Sequence, residues 1–418
     1  MNPPGAYLCG NVLPTVVVVS VVMLTALLGL MMLWEQESLL FARSQRLRQA
    51  RADAESAYTL YRLHPDDASL AASEGCQLYD SLPRSRVFVR TQPWGLYEAV
   101  RVRTADSLLH VCRLYGAEPD APNTLFYADN RSAVTLAGQT RLQGTLRLPQ
   151  NGLVYGRVGS DFYRGPQLPH TAILHAEGGL PQPDPSVLRR IAALFTRPEL
   201  SPDTLPDTLF HSFLRDSAAV FRLGSAEVGD CSLRGRIVLC ADCLRIDSTC
   251  RMEHLLVVAR KITVGSGARI AAQLFARDTV VVEARAVLEY PSGIYAGQYA
   301  EVGDRAEVNG YAVVRDTVRR KKVTASYRQS RTARLRGLLW VDGVAQVQGI
   351  VAGRAVLRQA VYFSPQGYYK DMFYGVALLE NPVTAQPLWL AAARRKEAAC
   401  ADRGVRRCWR RSSPPCCF

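Results

Sequence analysis

Leu244-Arg245-Ile246, Ile262-Thr263-Val264 and Val280-Val281-Val282 are three apolar–x–apolar triplets set eighteen residues apart. A second lane keeps the same step: Cys250 and Met252, then Ala268 and Ile270, then Ala286 and Leu288. Two lanes advancing together through three copies form a repeat. Short alternating runs broken by Gly, Asp and Ser at this period predict a parallel β-helix, each turn giving about three strands that stack on the next turn. The fold class expected is therefore mainly β. It comprises a single N-terminal transmembrane and stem helix, a small α+β neck, and a β-solenoid head.

The chain has 418 residues, enough for two or three domains with a large core. Its net charge is +14, of which residues 394–418 contribute +6 from eight Lys/Arg against two Asp/Glu. A basic surface can attract anionic sugar, lipid or nucleic acid. No compact nucleic-acid motif is present, so nucleic acid is not an expected partner. Eleven cysteines are scattered without the regular spacing of a small disulfide scaffold.

Val12–Trp34 carries no charged residue and would rise roughly 34 Å as a helix, enough to cross a bilayer. Trp34 closes it at an interfacial position. Residues 1–11 form a short leader without Lys or Arg, which argues for a retained span over a cleaved signal. The lipid bilayer is thus the first expected partner. Beyond it, Leu40, Leu47, Ala50, Ala54, Ala57, Tyr58 and Tyr61 keep helical spacing until Pro65, predicting an amphipathic stem over residues 35–64.

Gly10-Asn-Val-Leu-Pro-Thr-Val-Val-Val-Val, Leu27-Leu-Gly-Leu and Arg51-Ala-Asp-Ala-Glu-Ser-Ala resemble the amino-terminal region of PilX-type minor pilins and related pseudopilins. The resemblance covers about fifty residues. It implies processing after Gly10 and a place in a pilus-like or envelope assembly. This leader lacks the family's basic residues, and Pro14 sits early. Orientation is contested. Arg43, Arg46, Arg48 and Arg51 follow the span and favour a cytoplasmic head by the positive-inside rule, whereas the resemblance favours the extracytoplasmic side, which is the expectation adopted.

Residues 66–128 read as the neck, with strands at Val87–Val89, Leu96–Val102 and an apolar run from Ser107 to Leu114. Residues 129–164 read as first solenoid turns. Residues 165–222 interrupt them as a proline-rich insertion with helices at Pro185–Phe195 and Leu205–Arg215, covering a side or end of the stack. The main solenoid is expected over 223–360, with Asp304–Tyr327 as an exposed hairpin or bulged turn. A cap follows over 361–390, then a disordered basic, Cys-rich tail over 391–418. Glycines Gly343, Gly349 and Gly353 fit corners that need φ > 0. This glycine-cornered texture resembles bactofilin-like triangular β-helices in architecture only, and it supplies a cytoplasmic, polymer-forming scaffold as a further alternative.

Chemistry is sparsely signalled. Cys231, Cys240, Cys243 and Cys250 include a C-x2-C pair, but zinc needs four converging ligands. Stacked small core residues are the preferred reading, a metal centre the weaker one and a disulfide the remainder. Asp242, Asp247, Asp278, Glu283, Asp304 and Glu307 show no recurring carboxylate pair with an adjacent base of the kind a polysaccharide-cleaving enzyme needs. Arg319, Arg320, Lys321 and Lys322 could form an anion-binding patch, with anionic polysaccharide as its ligand. No catalytic residue or cofactor is expected. The function expected is a membrane-anchored structural or adhesive envelope protein, the alternative a polysaccharide-binding or polysaccharide-cleaving one.

Overall fold

A computed structural model describes residues 12–405, apart from 71, 80–84, 119–122, 177, 197–203, 317, 319–321, 382–383 and 391–393. The leader, Gly10 and residues 406–418 lie outside the described residues. The chain is mainly β, with one helix far longer than any other element. Helix α1, Val12–Leu63, runs 52 residues without a break across the apolar stretch and the stem. Its sequence contains no proline after Pro14, and His64-Pro65 ends it.

The last turns of α1 rest on an antiparallel sheet. Strands Arg86–Trp94, Tyr97–Thr104 and Leu109–Ala117 follow one another through short turns. The pleat sends Val87, Val89, Val100, Val102 and Val111 toward the helix, where Ala50, Ala54, Ala57, Tyr58 and Tyr61 meet them. Residues 391–418 were expected to be a disordered tail, and here the structure differs. Arg395–Val405 is a strand that pairs antiparallel with Leu109–Ala117 and completes the sheet. Two register shifts interrupt this pairing, so no period-two alternation is visible in the sequence.

The rest of the chain is dominated by parallel strands in register. Ile246 pairs with Val264, Val264 with Val282, and Val282 with Val302. A second inward lane runs Leu233, Met252, Ile270, Leu288, Val308, Leu335 and Val351. All of these residues are buried. Arg269–Val282 pairs along its first half with Val287–Ala296 and along its second with Tyr299–Val302. Those two pair with Glu307–Val314 and Tyr327–Gln329, which both pair with Arg334–Gln346. The hydrogen bonding of these six parallel strands thereby closes into a ring.

Three local expectations change. Leu205–Arg215 is not a helix: Thr208–His211 is a strand on the edge of Ser232–Gly235. A short apolar run is ambiguous from sequence, and the open strand edge decides it. Of the two readings of Asp304–Tyr327 the hairpin fails and the bulged turn stands: Glu307–Val314 is a parallel strand between its neighbours, and the extra length falls in the loop after it, which separates Val302 from its partner Gln329 by 27 residues. Gly349 and Gly353 do have φ of +72° and +140°, but Gly343 does not. A different column carries the constraint: Gly310, Gly337 and Gly353 stack at φ between +130° and +141°, and a Cβ on Gly337 would strike the Gly310 carbonyl.

The order of stacking does not follow the chain. Leu125 pairs with Ala355, Leu146 with Leu125, and Ile173 with Leu146, so the early strands lie beyond Gly349–Ser364 and not before Ala226. One repeat is composite. Asn123–Tyr127 supplies one side, while Met372–Tyr374 and Val376–Leu379 supply the others. The segment expected as a cap is thus stitched between Gly349–Ser364 and Arg141–Leu142. From His175 the chain returns along one side, where helix α2, Pro185–Phe195, forms as predicted. Asp184 caps it by accepting the Ser186 N–H at 2.7 Å, and Pro185 opens it.

That side is apolar outside as well as inside. Cys240, Val258, Phe275, Tyr295, Val313, Trp340 and Val356 form an outward lane, covered by α2, Trp389 and the Trp94–Tyr97 turn of the neck. Gln273, 2% exposed, fastens the turn. Its Oε1 accepts from the Leu96 N–H at 2.8 Å and the Tyr311 hydroxyl at 2.9 Å, and its Nε2 donates to the Trp94 carbonyl at 2.8 Å.

Gln273→Leu should strand three buried polar groups and cost about 3 kcal/mol or more, read as a lowered urea midpoint of the detergent-solubilised chain. Gly337→Val should abolish the cooperative transition, because backbone and not a flexible side chain occupies the space. An unchanged midpoint for either variant would contradict the packing described.

Candidate functional site

The most distinctive surface is α1. From Leu13 to Arg46 no residue of the helix is buried within the chain, and Val16, Leu24, Met31 and Trp34 are 56%, 58%, 72% and 78% exposed. By length and composition this helix is able to cross a membrane. Leu40, counted above with the stem face, is 54% exposed, and the seat begins at Ala50.

The seat itself is precise in chemistry. Ala50, Ala54 and Ala57 let the helix backbone approach the sheet, and Tyr58 and Tyr61 fill the space beyond them. The Tyr58 hydroxyl donates to the Val111 carbonyl at 2.9 Å, and burial raises its pKa far above the ordinary tyrosine value. Arg113 lies 4.4 Å over the Tyr58 ring and is the centre of a clamp. It forks onto Glu55 of α1 and reaches Glu397 of the C-terminal strand at 3.0 Å. Tyr61 donates to Glu98, which also accepts from Arg395 at 3.3 Å. Helix α1, neck and C-terminal strand thus share two ion-pair clusters. The sequence showed the Ala/Tyr spacing, but not Arg113, Glu98 or Glu397, whose partners lie far away in the chain.

The four central cysteines do not converge. Cys231 and Cys250 point inward one repeat apart, Cα atoms 4.8 Å from each other, and form a disulfide. Cys240 lies in the covered outer lane, while Cys243 sits on a solvent-facing row beside Asp242. Among the described residues no group of three His, Cys, Asp or Glu could hold a metal ion.

The carboxylates do recur in a lane with a base, contrary to the sequence reading. Arg260 forks onto Asp242 at 2.9 and 3.2 Å and stands 3.8 Å from Asp278. Arg245 likewise joins Glu283 and Glu227. The Arg260 hydrogen bonds hold Asp242 below the usual carboxylate range, and Arg245 does the same for Glu283. Groups held ionised in this way link repeats and are poorly placed to trade a proton. Asp247 is held down by hydrogen bonds within its own turn, Asp304 by the Ser330 and Thr332 hydroxyls of the next repeat, and Glu307 lies 4.0 Å from Arg334.

Of the basic patch, Arg319, Arg320 and Lys321 lie outside the described residues, and Lys322 is exposed on the loop after Glu307–Val314. A cleft of about 740 Å³ opens between α2, the neck and the C-terminal segment, lined by Asp66, Glu98, Asp184, Arg189, Arg190 and Arg395. Its best-placed carboxylates are already engaged, Asp184 as the α2 cap and Glu98 in the stem clamp. Comparison of the chain with family models, with curated proteins and with solved structures finds no match.

Ala57→Leu should overpack the seat and cost about 1–3 kcal/mol, lowering the urea midpoint, whereas Leu40→Ala on the same helix should leave it unchanged. Equal effects at the two positions would show that the seat is misassigned.

Proposed function

We propose that this protein is a single-pass, membrane-anchored structural subunit of a cell-envelope assembly, with a parallel β-helix head on the extracytoplasmic side. The observation that carries the reading is the division of α1. Thirty-odd residues from Leu13 are exposed and mostly apolar, while Ala50–Tyr61 are seated on the neck. Such a surface is stable only in lipid or among other apolar helices. Both environments suit a pilin-like subunit, the class that the N-terminal residues resemble.

The β-helix reading of the head is supported by the eighteen-residue register of inward lanes and by long strands that each pair with two strands of a neighbouring repeat. The ring of six strands follows if each long strand turns a corner of such a helix. The structural role is supported by acids and arginines that bridge repeats.

On sidedness two observations compete. Arg43, Arg46, Arg48 and Arg51, exposed along α1, favour a cytoplasmic head and with it a bactofilin-like scaffold. The Cys231–Cys250 disulfide favours an oxidising compartment, and we follow it.

Protease shaving of intact cells should remove the head, and α1 should stay in the membrane pellet through carbonate washing. The Cys231–Cys250 peptide should be recovered as a disulfide from unreduced chain. A head protected in intact cells but digested in lysate would overturn the extracytoplasmic placement, and release by carbonate would overturn the anchor.

A further inference from the structure

We propose that the face of the neck sheet turned away from α1 binds a phosphate-type oxyanion in the cleft between neck and head. The pleat that sends valines to the helix turns Phe88, Arg90, Arg101, Arg103 and His110 the other way. Arg90 stands directly across from Arg101, and Arg103 from His110. Arg90 and Arg101, like charges opposite one another on one sheet face, repel, and burial together with the neighbouring arginines holds His110 below the ordinary imidazole value. Arg103 lies 4.8 Å over the Phe88 ring, which orients its guanidinium along the sheet.

Arg101 is 5% exposed and lines this cleft. Its Nη1 donates to the Leu214 and Arg215 carbonyls at 3.3 Å each and to Asp216 Oδ1 at 3.1 Å. Its Nε and Nη2 are buried without an acceptor. The carboxylate that meets it, Asp216, is 85% exposed, so water screens the pair. Arg236 reaches the Arg215 and Asp216 carbonyls as well, adding a further cation beside the same turn. The other carboxylate on this face, Asp402, accepts from the Ser212 hydroxyl, so Arg101, with two idle donors and one solvated carboxylate in contact, is incompletely paired.

The cleft holds about 410 Å³, more room than a bare ion requires. It therefore suits a phosphate ester at least as well as free phosphate. Arginine forks match the oxygens of such a group, and Phe88 offers a surface for whatever carries it. The proposal does not depend on which side of the membrane the head occupies.

Calorimetric titration of the full chain in a neutral detergent at low salt tests it, with inorganic phosphate and sn-glycerol 3-phosphate as probes. Saturable one-to-one binding is expected for at least one. Tighter binding of the ester would assign a lipid or polymer phosphate as the source, and tighter binding of inorganic phosphate the free ion. Arg90 and Arg103 are exposed, so R90Q/R103Q should weaken binding at least tenfold with an unchanged urea midpoint. R103Q alone, expected to weaken it about threefold, keeps the test intact should the double variant unfold. Absence of binding by both probes, or variants that bind as the wild type does, would overturn the proposal.

Discussion

Parallel strands that stack residue on residue leave no freedom in what may follow what. Each inward position is capped above and below by the same lane of the neighbouring repeat, so Met252, Ile270, Leu288, Val308 and Leu335 must fill equivalent volumes. The constraint reaches the backbone too, as a column of glycines with positive φ persists through three repeats because a side chain on one would occupy the next. Extra sequence enters as a bulge of one or two residues within a strand, as at His254 and before Gly293, or at greater length between strands, as in the loop after Glu307–Val314. Polar residues can enter a lane if they bring their partners: Gln329, buried in the lane of Val302, donates to the Gln348 and Ile350 carbonyls.

The outer apolar lane has a different consequence. A stack with one apolar outer side needs a cover, and the cover here comes from three distant parts of the chain: the neck turn, helix α2 and Trp389. The composite repeat adds a second tie, since Asn123–Tyr127 and Met372–Leu379 complete one layer together. Arg395–Val405 adds a third by closing the neck sheet. Neck and head are therefore coupled by core packing, and loosening the C-terminal third would expose both the outer lane and the neck edge.

These couplings explain what could be read from sequence and what could not. The period of eighteen was legible because inward lanes repeat locally, and α1 because an uninterrupted apolar run has few alternatives. The outer lane was not, since in a run such as Leu255–Ala259 inward and outward residues are both apolar and alternation vanishes. Stacking order was hidden because Leu125 and Ala355 are separated by most of the chain. The strand at Arg395–Val405 was masked by its charges and register shifts, and the edge strand at Thr208–His211 by a run that fits either period. At the candidate sites the pattern is the same. Residue types were visible, but convergence was not, as Arg260 between Asp242 and Asp278 and Arg113 between Glu55 and Glu397 illustrate.

The seat of α1 sets how the exposed helix is joined to the rest of the chain. Its packed turns, from Ala50 to Tyr61, rest on the sheet, and their small residues bring the helix close enough for the Tyr58 hydroxyl to reach a strand carbonyl. The preceding thirty-odd residues take no support from the chain, so their surroundings must come from outside it. At about 25 cal/mol per Å² of apolar surface removed from water, seating even a third of those side chains in lipid or against other helices outweighs any single contact in the neck. The arginines at 43, 46, 48 and 51 occupy the turns between the apolar surface and the seat, where long side chains can keep their charge in water. Helix α1 thus divides into an exposed apolar length, a run of exposed arginines, and a packed end seated on the neck sheet.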